Sequence, residues 1–533
     1  MIKRIAATAA ALSLVATGSI AASAADSTAP VYMETVAAGA TLKVLATVGD
    51  APIGGGTYVL PGVPDGIGAE KSGDSVKLYM NAEFPYNTDT AKVVRANGGA
   101  YGSTVSSFSL DPASQTLTAD SELVKKVTYF NYVTGKYGSN GAPLGAAAAD
   151  SYGTPNHNTF LARFCSASLA PKGAFAAKVG NKTFGYTGSV FLNGEESSNE
   201  SRAFATNTAT GEMVQMPRFG LAAWETWNVV PTGNLTTAVI GNEDGSALDS
   251  QLSMYVGKKT NKGTWYDKAG LTNGKPYIAQ IEGYASDYKF RDGVGKGKPT
   301  PVKFNELNWK QSGVNQNTEA LAWGTAFSRI EDGMFDPQNP NDFYFVTTES
   351  GKYPASTTAN PALPGVSRDG GALWRLRFAD VKKPLAGGTI EMLLDGTEAP
   401  YLSKPDNLTI DKLGNILIQE DPGGNDAVSR IVAYSIATKK IAVVAKFKDE
   451  MFKPGGAKFI TNDEESSGIL DVTDLLKKSA TDTNSYYVYD AQIHASVAKS
   501  RPDLTTATQA FTDAFEGGQM YVLTIPDWTK VYN

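Results

Sequence analysis

Residues Pro405 to Asp421 read PDNLTIDKLGNILIQED, and this stretch decides the fold. A Pro-Asp opening leads into a short strand, a Gly414-Asn415 turn reverses the chain, and a second strand ends on Glu420 and Asp421. Adjacent acids close a strand at little cost only where water or a cation receives them. The ending recurs. LYMNAE ends at Glu83, VFLNGEE at Glu195 and Glu196, and AVIGNED at Glu243 and Asp244. YFVTTE ends at Glu349 and KFITNDEE at Glu465. The opening recurs as well, as Pro64-Asp65-Gly66 and as Glu331-Asp332-Gly333, each read as a turn before its strands. A repeated turn–strand–turn–strand unit marks a radial or solenoid β-architecture. Positions 196 and 244, like 421 and 465, are separated by roughly the 40–50 residues of one propeller blade.

The longer intervals require insertions. Residues 131–158 are rich in Gly, Ala and Asn and read as loop, and 253–318 alternate aromatic and polar residues as extra hairpins would. One helix is expected from about Asp503 to Phe515, starting on a capping acid and stopping before Gly517-Gly518. The following strand, QMYVLTIPDW, is expected to pair with N-terminal strands in VYMETVAA and TLKVLATVG and so close a ring without open edges. The fold class is all-β: a propeller with loop and hairpin insertions and a few short helices, forming one domain over 25–533.

The chain begins MIKR, continues through an Ala-rich apolar run and reaches AASAADS. This is the pattern of a secretory signal, residues 1–24, with cleavage expected after Ala24. Lys3 precedes Arg4, so no twin-arginine pair is present and export unfolded is expected, to a periplasmic, extracellular or cell-surface location. No later stretch has the length and apolarity of a membrane span. With 48 basic and 54 acidic residues and a net charge of −6, nucleic acid is excluded as a natural partner. One cysteine rules out an internal disulfide framework, and two histidines, His157 and His494, leave little for Ser-His-Asp chemistry or a His-rich zinc site.

A propeller gathers strand ends at the mouth of its central channel. Carboxylates crowded there repel one another, and a cation relieves the repulsion. Oxygen ligands favour Ca²⁺, Mg²⁺ or Mn²⁺, and a thiolate among them admits iron. The plainer alternative is that the acids cap exposed turns. Cys165, in NTFLARFCSASLAP between two strands, reads as a buried small hydrophobe, a metal-bound thiolate or a nucleophile. Arg163, two residues earlier, would share its strand face and favour the thiolate. GGGTY at Gly54 lacks the Lys-Ser/Thr of a phosphate loop, Gly370-Gly371 precede a strand rather than a helix, and NEDGSALDSQL has too few ligand oxygens for an EF-hand. Arg368, Arg375 and Arg377 form the best cluster for holding an anion.

Taken together, PGVPDGIGAE with LYMNAE, RFCSASLAP with FLNGEES, FSRIEDGMFDP, KPDNLTIDKLGNILIQED and DEESSGILDV resemble the PhoX-type alkaline phosphatases and their secreted relatives, in that family's order. The resemblance implies a six-bladed β-propeller with calcium and iron at the channel mouth, hydrolysing small phosphate monoesters. It implies Glu83, Cys165, Glu196, Glu331 and Glu420 as metal ligands, with Glu195, Glu243, Asp421 and Glu465 as alternates. Arg368 or Arg375 would hold the phosphate charge. Ala82 stands where the family has a histidine, and the family's Pro-Trp-Gly-Thr-Trp stretch is missing near Cys165. Two other functions fit the same motifs: a calcium-dependent lactonase or phytase-like hydrolase, and a non-catalytic secreted propeller stabilised by calcium.

Overall fold

Ile416, Leu417 and Ile418 are all fully buried, yet they pack into two different cores. Ile416 and Ile418 face Tyr344 and Val346, whereas Leu417 faces Tyr487 and Tyr489. Side chains alternate across a strand, so an unbroken apolar run marks a sheet covered on both faces. The same division holds round the molecule. Leu78 and Met80 face one core and Tyr79 the next; Ala238 and Ile240 face one and Val239 the other. Among the described residues, six large apolar cores therefore lie between successive strand units.

The structure is a computed structural model that describes residues 29–85, 101–139, 141, 159–349, 370–424, 427–504 and 513–533. It is a six-bladed β-propeller, the architecture expected from the motifs. Each blade is a four-stranded antiparallel meander, and its first strand lies innermost. The inner strands are Pro64–Ser72, Ala167–Ala170, Trp224–Val229, Ile330–Phe335, Pro405–Ile410 and Glu464–Asp471, for blades 1 to 6 in turn. Each packs against the next, and the sixth against the first. The second strands are Ser75–Ala82, Val190–Gly194, Thr236–Glu243, Asp342–Thr347, Asn415–Glu420 and Ser485–Ile493.

Blade 6 closes the ring. Its third strand, Gly517–Ile525, pairs antiparallel with Thr41–Thr47, and Met33–Thr35 adds to the outer edge of blade 5. Lys126–Asn131 and Lys136–Gly138 extend blade 2. The stretch 253–318 holds the two outer strands of blade 3, Leu252–Lys258 and Lys275–Ile281, then Thr300–Glu306. That last strand joins the outer edges of blades 3 and 4 into one nine-stranded sheet. Two helices not foreseen in the sequence, Asp287–Gly293 and Gly313–Trp323, lie in the same region, each started by a serine that accepts from the backbone N–H three residues on. The expected leader, most of 131–158, Arg368 and residues 505–512 of the expected helix lie outside the described residues. No helix among the described residues is long and apolar enough to cross a membrane.

Candidate metal centre

One backbone hydrogen bond repeats in every blade at the same end of the channel. The residue just past the second strand, or just past its last acid, donates its N–H to a carbonyl just ahead of the inner strand. The pairs are Glu83 to Val63 (2.9 Å), Glu196 to Arg163 (2.9 Å), Asp244 to Ala223 (2.9 Å), Thr348 to Arg329 (3.0 Å), Asp421 to Lys404 (3.0 Å) and His494 to Asp463 (3.1 Å). Two residues after those acceptors come Asp65, Cys165, Glu225, Glu331, Asp406 and Glu465. The fold thus defines six equivalent inner positions, five carboxylates and one thiol, all buried. Around them stand six equivalent outer positions.

The backbone is bent to achieve this. Val63, Arg163, Arg329 and Lys404 have φ of 49°, 43°, 62° and 49°, the left-handed region that costs a residue with a Cβ about 1–2 kcal/mol. Register shifts follow at Asp65/Ile67, Trp224/Thr226, Ile330/Gly333, Pro405/Leu408 and Ser467/Ile469. Such bulges re-aim side chains. In blades 1, 3, 4 and 5 the shift begins at or brackets the inner acid, Asp65, Glu225, Glu331 or Asp406.

Three sets of potential ligand atoms lie within 4.8 Å of one another: Asp65, Glu83 and Cys165; Cys165, Glu196 and Glu225; Glu225, Glu331 and Asp406. Cys165 and Glu225 are each shared, so the sets form one continuous arc. The Cys165 thiol points at Asp65 Oδ2 (3.3 Å). Glu225 Oε2 and Asp406 Oδ1 are buried without a hydrogen-bond partner, and Glu331 Oε1 has only the Arg329 guanidinium at 3.6 Å. Burial first, and neighbouring carboxylates second, push Asp65, Glu225, Glu331 and Asp406 well above the usual carboxylate range and Glu465 up to about 7. The Cys165 thiol is pushed up for the same reasons. An unpartnered carboxylate oxygen among like charges is stable only with a proton or a cation on it. The donor set, oxygens with one sulfur, fits calcium along the arc and iron beside Cys165.

Amides brace the arc from the neighbouring blade. Asn81 donates to the Cys165 carbonyl (2.7 Å), Asn242 to that of Glu331 and Gln419 to that of Ser467 (3.0 Å). Gln492 donates to Asp65 Oδ2 (3.0 Å) and Glu83 Oε2 (2.9 Å). Beside the arc opens a cavity of about 690 Å³ lined by Arg163, Glu196, Asp244, Asp249, Arg329 and small polar residues. Arg163 pairs with Glu83 (2.5 Å) and Glu196 (2.6 Å), and Arg329 makes a two-pronged pair with Asp244 (2.8 and 2.5 Å).

Every candidate site residue except Arg368 lies among the described residues. Glu83, Glu196 and Asp421 hold outer positions; Cys165, Glu331 and Glu465 hold inner ones. In blade 4 the outer position is Thr348, one residue before Glu349. Glu195, Glu243 and Glu420 come one residue before an outer position and are engaged elsewhere. Glu195 accepts from Arg202 Nε (2.7 Å) and Ala162 N (3.1 Å); Glu420 accepts from Arg430 Nε (2.8 Å) and Ser403 N (2.8 Å); Glu243 accepts from Gln251 N (2.9 Å). Arg375 lies on the third strand of blade 4 opposite Tyr344, paired with Glu391, away from the mouth. Arg163 shares no strand face with Cys165, because residues 162–166 precede the strand.

Asp65 and Asp406, read as turn residues, begin inner strands. Most of the recurrent acids, Glu83, Glu195, Glu196, Glu243, Asp244, Glu420 and Asp421, lie at the ends of second strands rather than inner ones, whereas Glu465 lies at the start of an inner strand and belongs with the inner acids. Glu225, Asp65, Asp406 and Arg329 went unrecognised as site residues. Their signal is the alignment of VPD, RFC, AWE, RIE, KPD and DEE.

No family model and no curated protein sequence matches the chain. Among solved structures, Pseudomonas fluorescens PhoX in complex with vanadate, a transition state analogue, is similar with a TM-score of 0.62 at 11% identity, covering 96% of this chain and 99% of that chain. A subtype N11 neuraminidase-like protein of A/flat-faced bat/Peru/033/2010 (H18N11) reaches a TM-score of 0.35 at 9% identity, covering 93% of this chain and 97% of that chain. Kuenenia stuttgartiensis hydrazine synthase reaches 0.32 at 11% identity, covering 71% of this chain and 79% of that chain. The likeness to PhoX runs almost end to end in both chains, and it is the fold that the chain shares with PhoX.

Proposed function

We propose that the chain is a secreted, metal-dependent phosphatase that hydrolyses phosphate monoesters at the channel mouth. The carrying observation is the arc of buried carboxylates with one thiol at an equivalent position, set directly beside a pocket walled by two arginines. Calcium and iron held there would polarise a phosphoryl oxygen and lower the pKa of a bound water. Glu83, Cys165, Glu196, Glu225, Glu331 and Asp406 would hold them, with Asp65 and Glu465 completing the ring.

The chain's own groups do the rest. Arg163 and Arg329 each engage a carboxylate through Nε and Nη2, which leaves Nη1 to meet an oxygen of a phosphoryl group. Both are already oriented by carboxylates, and part of each remains open to solvent, 40% and 27% of the side chain. The buried arc excludes water from one side of the reacting group, and the cavity admits the ester from the other. Arg375, paired with Glu391 on the third strand of blade 4, gives way to these two arginines as the proposed phosphate-holding groups, and Arg368 lies outside the described residues. The vanadate bound to PhoX supports the reading, since vanadate stands in for a phosphoryl group in transit.

The test is elemental analysis of the purified protein together with phosphate release from p-nitrophenyl phosphate. Calcium and iron with turnover support the reading. A protein that takes up neither metal and releases no phosphate under calcium and iron supplementation sinks it. Calcium alone with hydrolysis of a lactone would move the assignment to the other hydrolase class.

A further inference from the structure

The outer position of blade 6 differs in kind from its equivalents: where blades 1, 2, 3 and 5 carry Glu83, Glu196, Asp244 and Asp421, blade 6 carries His494. Its backbone is fixed by the bond to Asp463. Its ring is fixed by Glu516, whose Oε2 lies 2.8 Å from Nδ1. The loop bearing Glu516 is itself anchored. The Ala514 carbonyl accepts from Gly62 N (3.0 Å), Gly517 N donates to the Ala495 carbonyl (3.0 Å), and Phe515 packs edge-on against Phe84. With Nδ1 occupied, Nε2 faces Glu465 Oε2 at 3.8 Å.

That separation is beyond a hydrogen bond. Two donors about 2.0–2.2 Å from one ion reach that span at a wide angle of roughly 120–145°, which a coordination shell open on its other sides admits. A carboxylate behind a histidine, fixing its tautomer and turning the other nitrogen towards a cation, is how metal-binding imidazoles are oriented. Resting on the cation-ring reading above, we infer that His494 Nε2 and Glu465 form a mixed nitrogen–oxygen corner of the ring, selective for a first-row transition ion. Calcium takes oxygen donors, so the Glu225–Glu331–Asp406 set suits it and this corner does not. The corner supplies two protein donors and leaves positions for water or a substrate oxygen.

With only two histidines in the chain, the assignment is clean. The experiment is pulsed electron paramagnetic resonance on full-length protein loaded with Mn²⁺ alone, at natural abundance and with ¹⁵N-histidine. A nitrogen coupling that changes with the isotope, persists in His157→Gln and is lost in His494→Gln supports the inference. Glu516→Gln should weaken Mn²⁺ binding about 10–100-fold while the fold, followed by circular dichroism, is kept. Bound Mn²⁺ without histidine coupling in the unaltered protein overturns the inference and leaves the ring standing, with His494 a counter-charge between two glutamates. Failure to bind Mn²⁺ at all overturns both.

Discussion

At Cys165 a thiol occupies the position that a carboxylate holds in five other blades, which makes it the residue on which metal choice turns. Replacing Cys165 with Ser keeps the size but removes the soft donor, so iron content should fall at least tenfold while calcium is retained, read by elemental analysis of the purified variant. At Arg329 the expected loss is in turnover. Arg329→Ala should lower kcat/KM for a phosphate monoester by about 10²-fold, the usual cost of one charge-stabilising donor. An unchanged kcat/KM would remove Arg329 from the phosphate site. Cys165 and Glu331 were legible in the sequence because their motifs are distinctive. Asp65 and Asp406 were hidden, since Asp after Pro is ordinary turn chemistry and only the register with the partner strand shows them starting an inner strand. Glu225 was hidden between Trp224 and Trp227, in a segment that reads as core.

At the scale of elements, the hairpins were legible because alternation on a two-sided sheet leaves continuous apolar runs, and Asn415–Glu420 is buried throughout. The helices Asp287–Gly293 and Gly313–Trp323 were not, because helices this short owe their stability to packing rather than to propensity. The strand ends show why adjacent acids were hard to tell apart. Neighbouring residues point oppositely, so Glu196 meets the arc while Glu195 turns back to clamp Arg202, and Glu420 does the same with Arg430. These buried pairs are structural latches. Arg202→Ala should cost about 3–5 kcal/mol by stranding Glu195. Denaturant unfolding measures that loss, and a wild-type midpoint would show the latch to be dispensable. Leu417→Ala, in the core between blades 5 and 6, should cost about 2–5 kcal/mol by the same measurement.

For the whole molecule, the arc couples stability to pH and to cations. Asp65, Glu225, Glu331 and Asp406 are held well above the usual carboxylate range in the folded state, and Glu465 beside them is pushed up to about 7. Stabilisation from their protonated forms is complete below the unfolded value and is lost as pH rises through the folded one. With chelator present, the melting temperature should therefore fall between about pH 5 and 8. Calcium should reverse the trend, because it binds the deprotonated arc and expels protons; calorimetry in buffers of different ionisation enthalpy would detect the release. A melting temperature that rises with pH in chelator would contradict this account. The closing blade carries a further consequence, one of timing. Thr41 pairs with Thr524, so joining them closes a loop of nearly the whole chain, an entropic cost of about 5 kcal/mol. Contacts so distant in sequence form late and slowly. Glu465, His494 and Glu516 belong to that same blade, so the ring of donors stays incomplete until folding is almost finished, and cation capture becomes the step that marks its end.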